Sequence, residues 1–130
     1  MKILFICEAN VGRSQMAEAY YNKLSDASGA SSAGIVDLVR KYYGKPAKEI
    51  VATMKEDGID ISNQNVKLIT KNMVRNAKKI VVLCNLDICP TFVLQHNNLE
   101  FHEVKDPYKQ EVEQIRAIRE SVKAVVLQII

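Results

Sequence analysis

The stretch 2–18, KILFICEANVGRSQMAE, places an apolar run, a short polar loop and an amphipathic segment in immediate succession. Residues 2–6 are rich in strand formers, which is typical of a buried strand. The segment that begins near Ser14 carries apolar residues at helical spacing: Met16, Ala17, Tyr20 and Leu24. The sequence therefore predicts a strand, a tight loop and a helix, with Cys7 at the carboxyl end of the strand.

The remainder of the chain repeats this alternation of strands and helices. Further strands are predicted over residues 30–35, 79–84 and 99–104, and helices over residues 46–58, 63–77 and 108–130, with residues 59–62 in a loop. Strands separated by helices favour a parallel α/β sheet, in which ligands bind beyond the carboxyl ends of the strands. We expect Cys7, Cys84 and Asp106 to lie at that edge.

Composition limits the class of protein. The 130 residues, 48% of them hydrophobic, suit one compact domain over residues 1–130. The net charge is +3 with basic and acidic residues interspersed, so nucleic-acid binding is not expected. No apolar segment approaches the length of a signal-peptide core or a membrane span, so we expect a cytoplasmic protein. Its three cysteines would then be reduced thiols, suited to catalysis or metal binding.

The loop after the first strand has the properties of an anion cradle. Its backbone N–H groups can turn inward beside the positive end of the following helix. Arg13 adds a planar fork of donors that suits a tetrahedral oxyanion, and Ser14 can donate to the sulfur of Cys7. Helix N-termini and nearby arginines favour a thiolate, so Cys7 is a candidate nucleophile; the alternative is a buried cysteine followed by an unrelated arginine. The predicted cradle comprises Glu8, Ala9, Asn10, Val11, Gly12 and Arg13.

Several short motifs together carry a family resemblance. They are C-x5-R-S followed by QMAE, then SAGI at residues 32–35, DIS at 60–62, VVLC at 81–84 and DP at 106–107. In this order they resemble the low-molecular-weight protein tyrosine phosphatases. RSQMAE, Cys84 and the Cys89-Pro90 pair more closely resemble the thioredoxin-coupled arsenate reductases, which share the fold and the phosphate loop. The resemblance implies a four-stranded parallel sheet flanked by helices.

Phosphoester cleavage through a thiolate requires a proton donor for the leaving group, and Asp106 is the candidate. The resemblance assigns it the same role, while the alternative is an ordinary Asp-Pro turn. Tyr108 continues a phosphatase-like DPY pattern. Tyr42 and Tyr43 would lie in a loop where the phosphatases use aromatic residues to flank a substrate ring; the alternative is a pair of half-buried loop aromatics.

The resemblance to the reductases also assigns roles to the other cysteines. Cys7 would attack arsenate, Cys84 would attack the arsenic-bearing sulfur, and Cys89 would capture the disulfide and present it to thioredoxin. Four residues separate Cys84 from Cys89, where the reductases typically have six. The alternative is that Cys84 is a small buried hydrophobe and Cys89 a loop thiol.

The same resemblance implies that four polar residues tie the loop together and, in some members, hold a potassium ion: Asn10, Glu18, Ser32 and Asp60. Ordinary structural hydrogen bonding is the alternative, and no metal is required. The pattern C-x4-C-x6-H-x5-H superficially resembles a zinc site, but its middle spacing is short for a zinc finger. Its four residues are Cys84, Cys89, His96 and His102.

The sequence thus predicts a single-domain enzyme. The favoured activity is arsenate reduction with thioredoxin as reductant, and the alternative is hydrolysis of phosphotyrosine or small aryl phosphates. A phosphate-binding module without turnover has no need of the nucleophile or the acid, and a phosphocysteine carrier has less need of Arg13. A monomer is expected.

Overall fold

The computed structural model describes residues 2–26 and 29–130. Strands and helices alternate along these residues. The strands are β1 (Ile3–Cys7), β2 (Ala30–Gly34), β3 (Lys79–Val82) and β4 (Leu99–Phe101). The helices are α1 (Arg13–Leu24), α2 (Lys48–Glu56), α3 (Lys71–Asn76), α4 (Thr91–Leu94) and α5 (Val112–Ile129).

The strands form one parallel sheet in the order β2-β1-β3-β4, which confirms the predicted fold class. Cys7 pairs with Gly34 at the carboxyl ends of β1 and β2, and Ile6 of β1 pairs with Val82 of β3. The chain moves from β1 to one side of the sheet and later returns to the other side of β1. Such a reversal of strand order leaves a crevice at the carboxyl ends, and this crevice is where ligands bind in open α/β sheets.

Successive side chains of β1 are buried on opposite faces of the sheet. Ile3 and Phe5 pack with α1, α2 and α5, whereas Leu4 and Ile6 pack on the side that includes Val74 and Val93. All five residues of β1 are buried, as expected for a parallel strand covered on both faces. Cys7 is therefore held at the end of the most enclosed strand.

The predicted helix over residues 63–77 is wrong for its first half. Only Lys71–Asn76 is helical, and Thr70 caps it by accepting a hydrogen bond from the backbone N–H of Met73 at 3.1 Å. Before it, the chain is extended beside β2, where Gly34 N–H donates to the Lys67 carbonyl and Ile69 N–H to the Gly34 carbonyl, each at 2.8 Å. These long-range backbone bonds replace the bonds that a helix would have made.

Smaller differences affect the ends of elements. Strands β3 and β4 are shorter than predicted, and the last helix begins at Val112 rather than at residue 108. The segment after β3 was not predicted to be regular, yet it contains a 3₁₀ turn at Leu86–Ile88 followed by α4. Asn85 supports this turn because its side chain accepts from the backbone N–H of Asp87 at 2.9 Å.

Candidate active site

The end of β1 lies directly against β2 at Gly34. A Cβ atom at Gly34 would lie 2.7 Å from the carbonyl carbon of Ala9 and 2.8 Å from the backbone nitrogen of Asn10. No side chain fits within such distances of a backbone, so glycine is required for the loop to rest on β2. The sequence motif SAGI thus positions the loop that follows Cys7, a role that the sequence pattern did not reveal.

The loop after Cys7 turns its carbonyl groups away from the cavity. The Glu8 carbonyl accepts from Ile35 and Val36, that of Val11 accepts from Ala47, and that of Gly12 accepts from Met16, at 2.7–3.0 Å. In a trans peptide the N–H of the next residue points opposite to the carbonyl. The N–H groups directed toward the cavity by this argument belong to Ala9, Gly12 and Arg13.

Cys7 receives a polar partner from the start of α1. Its Sγ lies 2.9 Å from Ser14 Oγ, and Asn10 Nδ2 donates to the same Oγ at 2.7 Å. The orientation of the Asn10 amide is fixed because its Oδ1 accepts from the backbone N–H of Lys67 at 2.9 Å. Since Ser14 Oγ already accepts from Asn10, its own hydroxyl proton is free to stabilise a thiolate at Cys7.

Asn10 itself adopts a left-handed conformation with φ of 60°, and its side chain is fully buried beneath the loop. Gln15 Nε2 donates to the Asn10 carbonyl and to Asn10 Oδ1, both at 3.0 Å, and to the carbonyl of Asn65 at 2.9 Å. Gln64 Nε2 in turn donates to Gln15 Oε1 at 2.6 Å. The sequence analysis did not predict this network. The one indication of it was a polar residue, Gln15, in the first turn of a helix that is largely buried.

Arg13 begins α1 and is buried, with 8% of its surface exposed. Its Nη1 donates to the carbonyl oxygen of Val104 at 2.9 Å, and its Nη2 lies 4.0 Å from Asp106 Oδ2. The guanidinium therefore connects the loop after β1 to the segment after β4. Asp106 accepts from the backbone N–H of Tyr108 at 3.0 Å, which orients its carboxylate.

A cavity of about 190 Å³ opens above Cys7. Its walls come from three parts of the chain. These are the loop after β1, the loop before α2 together with the first turn of α2, and the segment of Asp106, Pro107 and Tyr108. Tyr42 also lines the cavity, whereas Tyr43 does not and is 91% exposed. Burial, together with the negative charge of Glu49, raises the pKa of Tyr42. The structure thus brings two of the three predicted rim tyrosines to the mouth.

The two remaining cysteines lie side by side after β3. Cys84 and Cys89 are both buried, and each thiol affects the pKa of the other. The 3₁₀ turn at Leu86–Ile88 makes this possible within the short spacing, because Cys89 N–H donates to the Leu86 carbonyl at 3.0 Å. Burial raises the pKa of Cys84 to about 12, with smaller contributions from Cys89 and Cys7.

The four polar residues for which a potassium ion was considered have hydrogen-bond partners within the protein. Glu18 Oε1 accepts from Ser32 Oγ at 2.7 Å, and the ammonium of Lys67 lies 4.0 Å from the same oxygen. Asn10 Oδ1 is already an acceptor for other donors, while Asp60 is exposed and accepts from the backbone N–H of Ser62 at 2.9 Å. Lys67 therefore provides the positive charge beside Glu18.

The histidines of the considered zinc pattern have other partners. His96 Nε2 bonds to the Ala77 carbonyl at 2.8 Å, and His102 Nε2 lies 3.2 Å from Glu100 Oε2. Across residues 2–26 and 29–130, no group of three or more His, Cys, Asp or Glu residues could hold a metal ion. None of the helices in that part of the chain combines the length and apolar character needed to cross a membrane.

Together, the fold and the cradle define a parallel α/β protein with a cysteine at the base of an oxyanion-sized site. The sequence model of the low molecular weight phosphotyrosine protein phosphatases matches residues 2–130, and the chain belongs to this family of enzymes. The predicted family resemblance is therefore confirmed. Family membership makes this cavity the candidate active site.

Individual relatives point to one branch of the family. The chain is 35% identical to an arsenate reductase of Staphylococcus aureus (strain Newman) over 127 residues, which cover 95% of this chain and 92% of the relative. A solved arsenate reductase in the phosphate binding state is 29% identical, with a TM-score of 0.81 and coverage of 99% and 96%. The low molecular weight protein tyrosine phosphatase of T. tengcongensis shares the fold, with a TM-score of 0.85, 23% identity and coverage of 99% and 97%.

Proposed function

We propose that this protein reduces arsenate to arsenite through a relay of Cys7, Cys84 and Cys89, and that a thioredoxin-type dithiol regenerates it. The observation that carries the proposal is that Cys84 and Cys89 are buried free thiols joined by one short turn, with Cys84 in electrostatic reach of both Cys89 and Cys7. The identity of 35% to arsenate reductases of Staphylococcus aureus and Brevibacillus brevis supports it. Thiol exchange of this kind suits a reducing compartment such as the cytoplasm.

The first step is attack by the Cys7 thiolate on arsenic. The loop N–H groups and the Arg13 guanidinium hold the oxygens of arsenate, and Ser14 stabilises the thiolate until the sulfur–arsenic bond forms. One arsenic-bound oxygen leaves as water after protonation, and Asp106 is positioned beside Arg13 to donate that proton. All these groups belong to one chain, so a monomer is sufficient for the reaction.

The second and third steps transfer the electrons. The Cys84 thiolate attacks Cys7 Sγ, forming a disulfide, and the electron pair of the sulfur–arsenic bond remains on arsenic, which leaves as arsenite. The Cys89 thiolate then attacks Cys84 Sγ, forming the Cys84–Cys89 disulfide and releasing Cys7 as a thiolate. The external dithiol reduces that disulfide and supplies the two electrons consumed.

The raised pKa of Cys84 restrains this relay in the resting protein. Because burial raises that pKa to about 12, Cys84 is protonated at neutral pH and does not attack. When Cys7 carries arsenic, the proton of Cys84 must pass to an arsenic-bound oxygen as the sulfur attacks, and it leaves with arsenite. A neutral Cys84 thiol is expected to resist oxidation while no substrate is bound.

A second candidate function is hydrolysis of small aryl phosphates, favoured by Asp106, Pro107 and Tyr108 on one wall of the cavity. Cys7 would form a phosphocysteine, Asp106 would protonate the leaving phenoxide, and water would then release phosphate. This reaction uses neither Cys84 nor Cys89. The two functions can therefore be separated by mutating those cysteines.

The test measures arsenate-dependent NADPH oxidation with thioredoxin and thioredoxin reductase under anaerobic conditions. The native protein is compared with Cys84→Ser and Cys89→Ser, and p-nitrophenyl phosphate hydrolysis is measured on the same samples. We expect arsenate turnover that both variants abolish, with any hydrolysis of the aryl ester retained. A native protein that cleaves the ester through Cys7 but does not turn over arsenate would contradict arsenate reduction and leave phosphatase activity.

A further inference from the structure

The mouth of the cavity has aromatic rings on two walls. Tyr42 belongs to the segment between β2 and α2, and Tyr108 to the segment after β4. Both rings line the same cavity above Cys7. A gap between two such rings suits a flat aromatic substituent, because aromatic pairs gain energy from stacked and edge-to-face contacts. Without a further group in the gap, this site would favour aryl esters.

The side chain of Lys41 occupies this gap. Its Nζ lies 6.0 Å from the centroid of the Tyr42 ring and 5.9 Å from that of the Tyr108 ring, and Lys41 also lines the cavity. Both distances lie at the range of about 6 Å over which an ammonium is attracted by an aromatic face. The Lys41 ammonium therefore contacts an aromatic ring on each of the two walls.

Tyr108 is restrained by a second lysine. Lys109 Nζ lies 5.3 Å from the Tyr108 centroid, but Lys109 does not line the cavity. The two lysines therefore make the same kind of contact with one ring, and only Lys41 also reaches the opposite wall. This difference makes Lys109 a matched control for charge and for contact with Tyr108.

We propose that Lys41 is a specificity-determining residue that closes the aromatic gap and selects small free oxyanions over aryl esters. The inference rests on the proposed function, because it concerns the same oxyanion cradle. An aryl ring must displace the ammonium from two ring faces before it can enter. A free tetrahedral oxyanion needs only the cradle beneath, and the positive charge at the mouth attracts it.

Binding of two non-hydrolysed probes tests this inference without requiring turnover. Dissociation constants of phenylphosphonate and inorganic phosphate are measured by calorimetry at one ionic strength for the native protein, Lys41→Ala, Lys41→Met and Lys109→Met. In Lys41→Ala we expect phenylphosphonate to bind about threefold to tenfold more tightly and phosphate about twofold to threefold more weakly. Lys41→Met keeps the bulk without the charge, so it should weaken phosphate similarly but favour phenylphosphonate less. Lys109→Met should change the ratio of the two constants by less than about twofold.

A parallel weakening of both probes in Lys41→Ala would overturn the proposal, because Lys41 would then act only as a general attractor of anions. An unchanged ratio would overturn it as well. Failure of the proposed function is distinguishable from either result: arsenate turnover would be absent while the shift in the binding ratio remained. If the native protein bound neither probe, the cradle itself would be refuted, and this inference with it.

Discussion

Arg13 Nη1 donates a hydrogen bond to the carbonyl oxygen of Val104 at 2.9 Å, although the two residues are 91 positions apart along the chain. This bond fastens the loop that follows Cys7 to the segment that carries Asp106. The same guanidinium lies 4.0 Å from Asp106, so Arg13 also links Cys7 and Asp106, the proposed nucleophile and acid. Arg13 is predicted to hold the substrate and to align the two chemical groups.

Replacing Arg13 with lysine should lower kcat/KM for arsenate or aryl phosphate by about 10²–10³-fold, because an ammonium lacks the planar fork of donors. We also expect a loss of about 1–3 kcal/mol in the free energy of unfolding, since the Val104 carbonyl loses its charged donor. Steady-state kinetics and denaturant unfolding measure the two effects. Arg116→Lys, at an exposed ion pair with Glu56, is the control and should retain full activity. Full activity in Arg13→Lys would contradict the assigned role.

Replacing Gly34 with alanine should disrupt the loop after Cys7, because the new Cβ would lie 2.7 Å from the backbone of Ala9. We expect a loss of stability of about 1–3 kcal/mol and a larger relative loss of activity. Thermal unfolding and steady-state kinetics measure these changes. Gly58→Ala is the control: at φ of +79° it strains the backbone but meets no atom within 4 Å. It should lose stability without losing activity, whereas equal activity losses in both variants would refute the role of Gly34.

The buried thiol of Cys84 should make stability depend on pH in the alkaline range. Its pKa is raised to about 12 from an ordinary value of 9.0, so folding favours the neutral thiol. The resulting stabilisation is complete below pH 9 and is lost as pH rises toward 12, by up to about 1.4 kcal/mol per pH unit. Denaturant unfolding at pH 8–10.5 should show that the advantage of the native protein over Cys84→Ala shrinks with pH. An advantage that stays constant would contradict the assignment.

Removing the Lys67 ammonium should leave Glu18 without its nearby cation. Lys67→Met is expected to lower the free energy of unfolding by about 0.5–2 kcal/mol, because the ammonium also donates to the Asn65 carbonyl at 2.7 Å. Potassium chloride should restore part of this stability more effectively than sodium chloride, and the native protein should show no such preference. Lys45→Met is the control, since Lys45 donates to the Asn65 side chain at 3.1 Å. An ion preference in the native protein would contradict the role of Lys67.

Local sequence was sufficient to predict β1, the following loop and most of α1. An apolar run, a polar loop with Gly12 and Arg13, and residues at helical spacing all favour the same structure, so no distant contact had to override them. The same holds for Pro46 and Gly58, which bracket the helix that became Lys48–Glu56. The types of residue needed for oxyanion chemistry were visible in this stretch.

Residues 63–70 show why other parts of the structure could not be predicted from the local sequence. Their apolar spacing indicated a helix, but the backbone N–H of Lys67 donates to Asn10 and its carbonyl accepts from Gly34. These partners come from β2 and from the loop after β1, more than 30 residues earlier. The Gln15 network depends on the same extended segment through Asn65.

Residue types and local periodicity thus predicted the candidate nucleophile, the candidate cradle and the class of fold, because the residue types and the strand-loop-helix order are visible in the local sequence. The pairing of Cys84 with Cys89, the Lys67–Glu18 contact and the position of Lys41 between Tyr42 and Tyr108 arose only on folding. Each requires segments from separate parts of the chain, or an unpredicted turn, to meet at one edge of the sheet. These contacts depend on how the helices pack and how the strands pair, which no short sequence motif encodes.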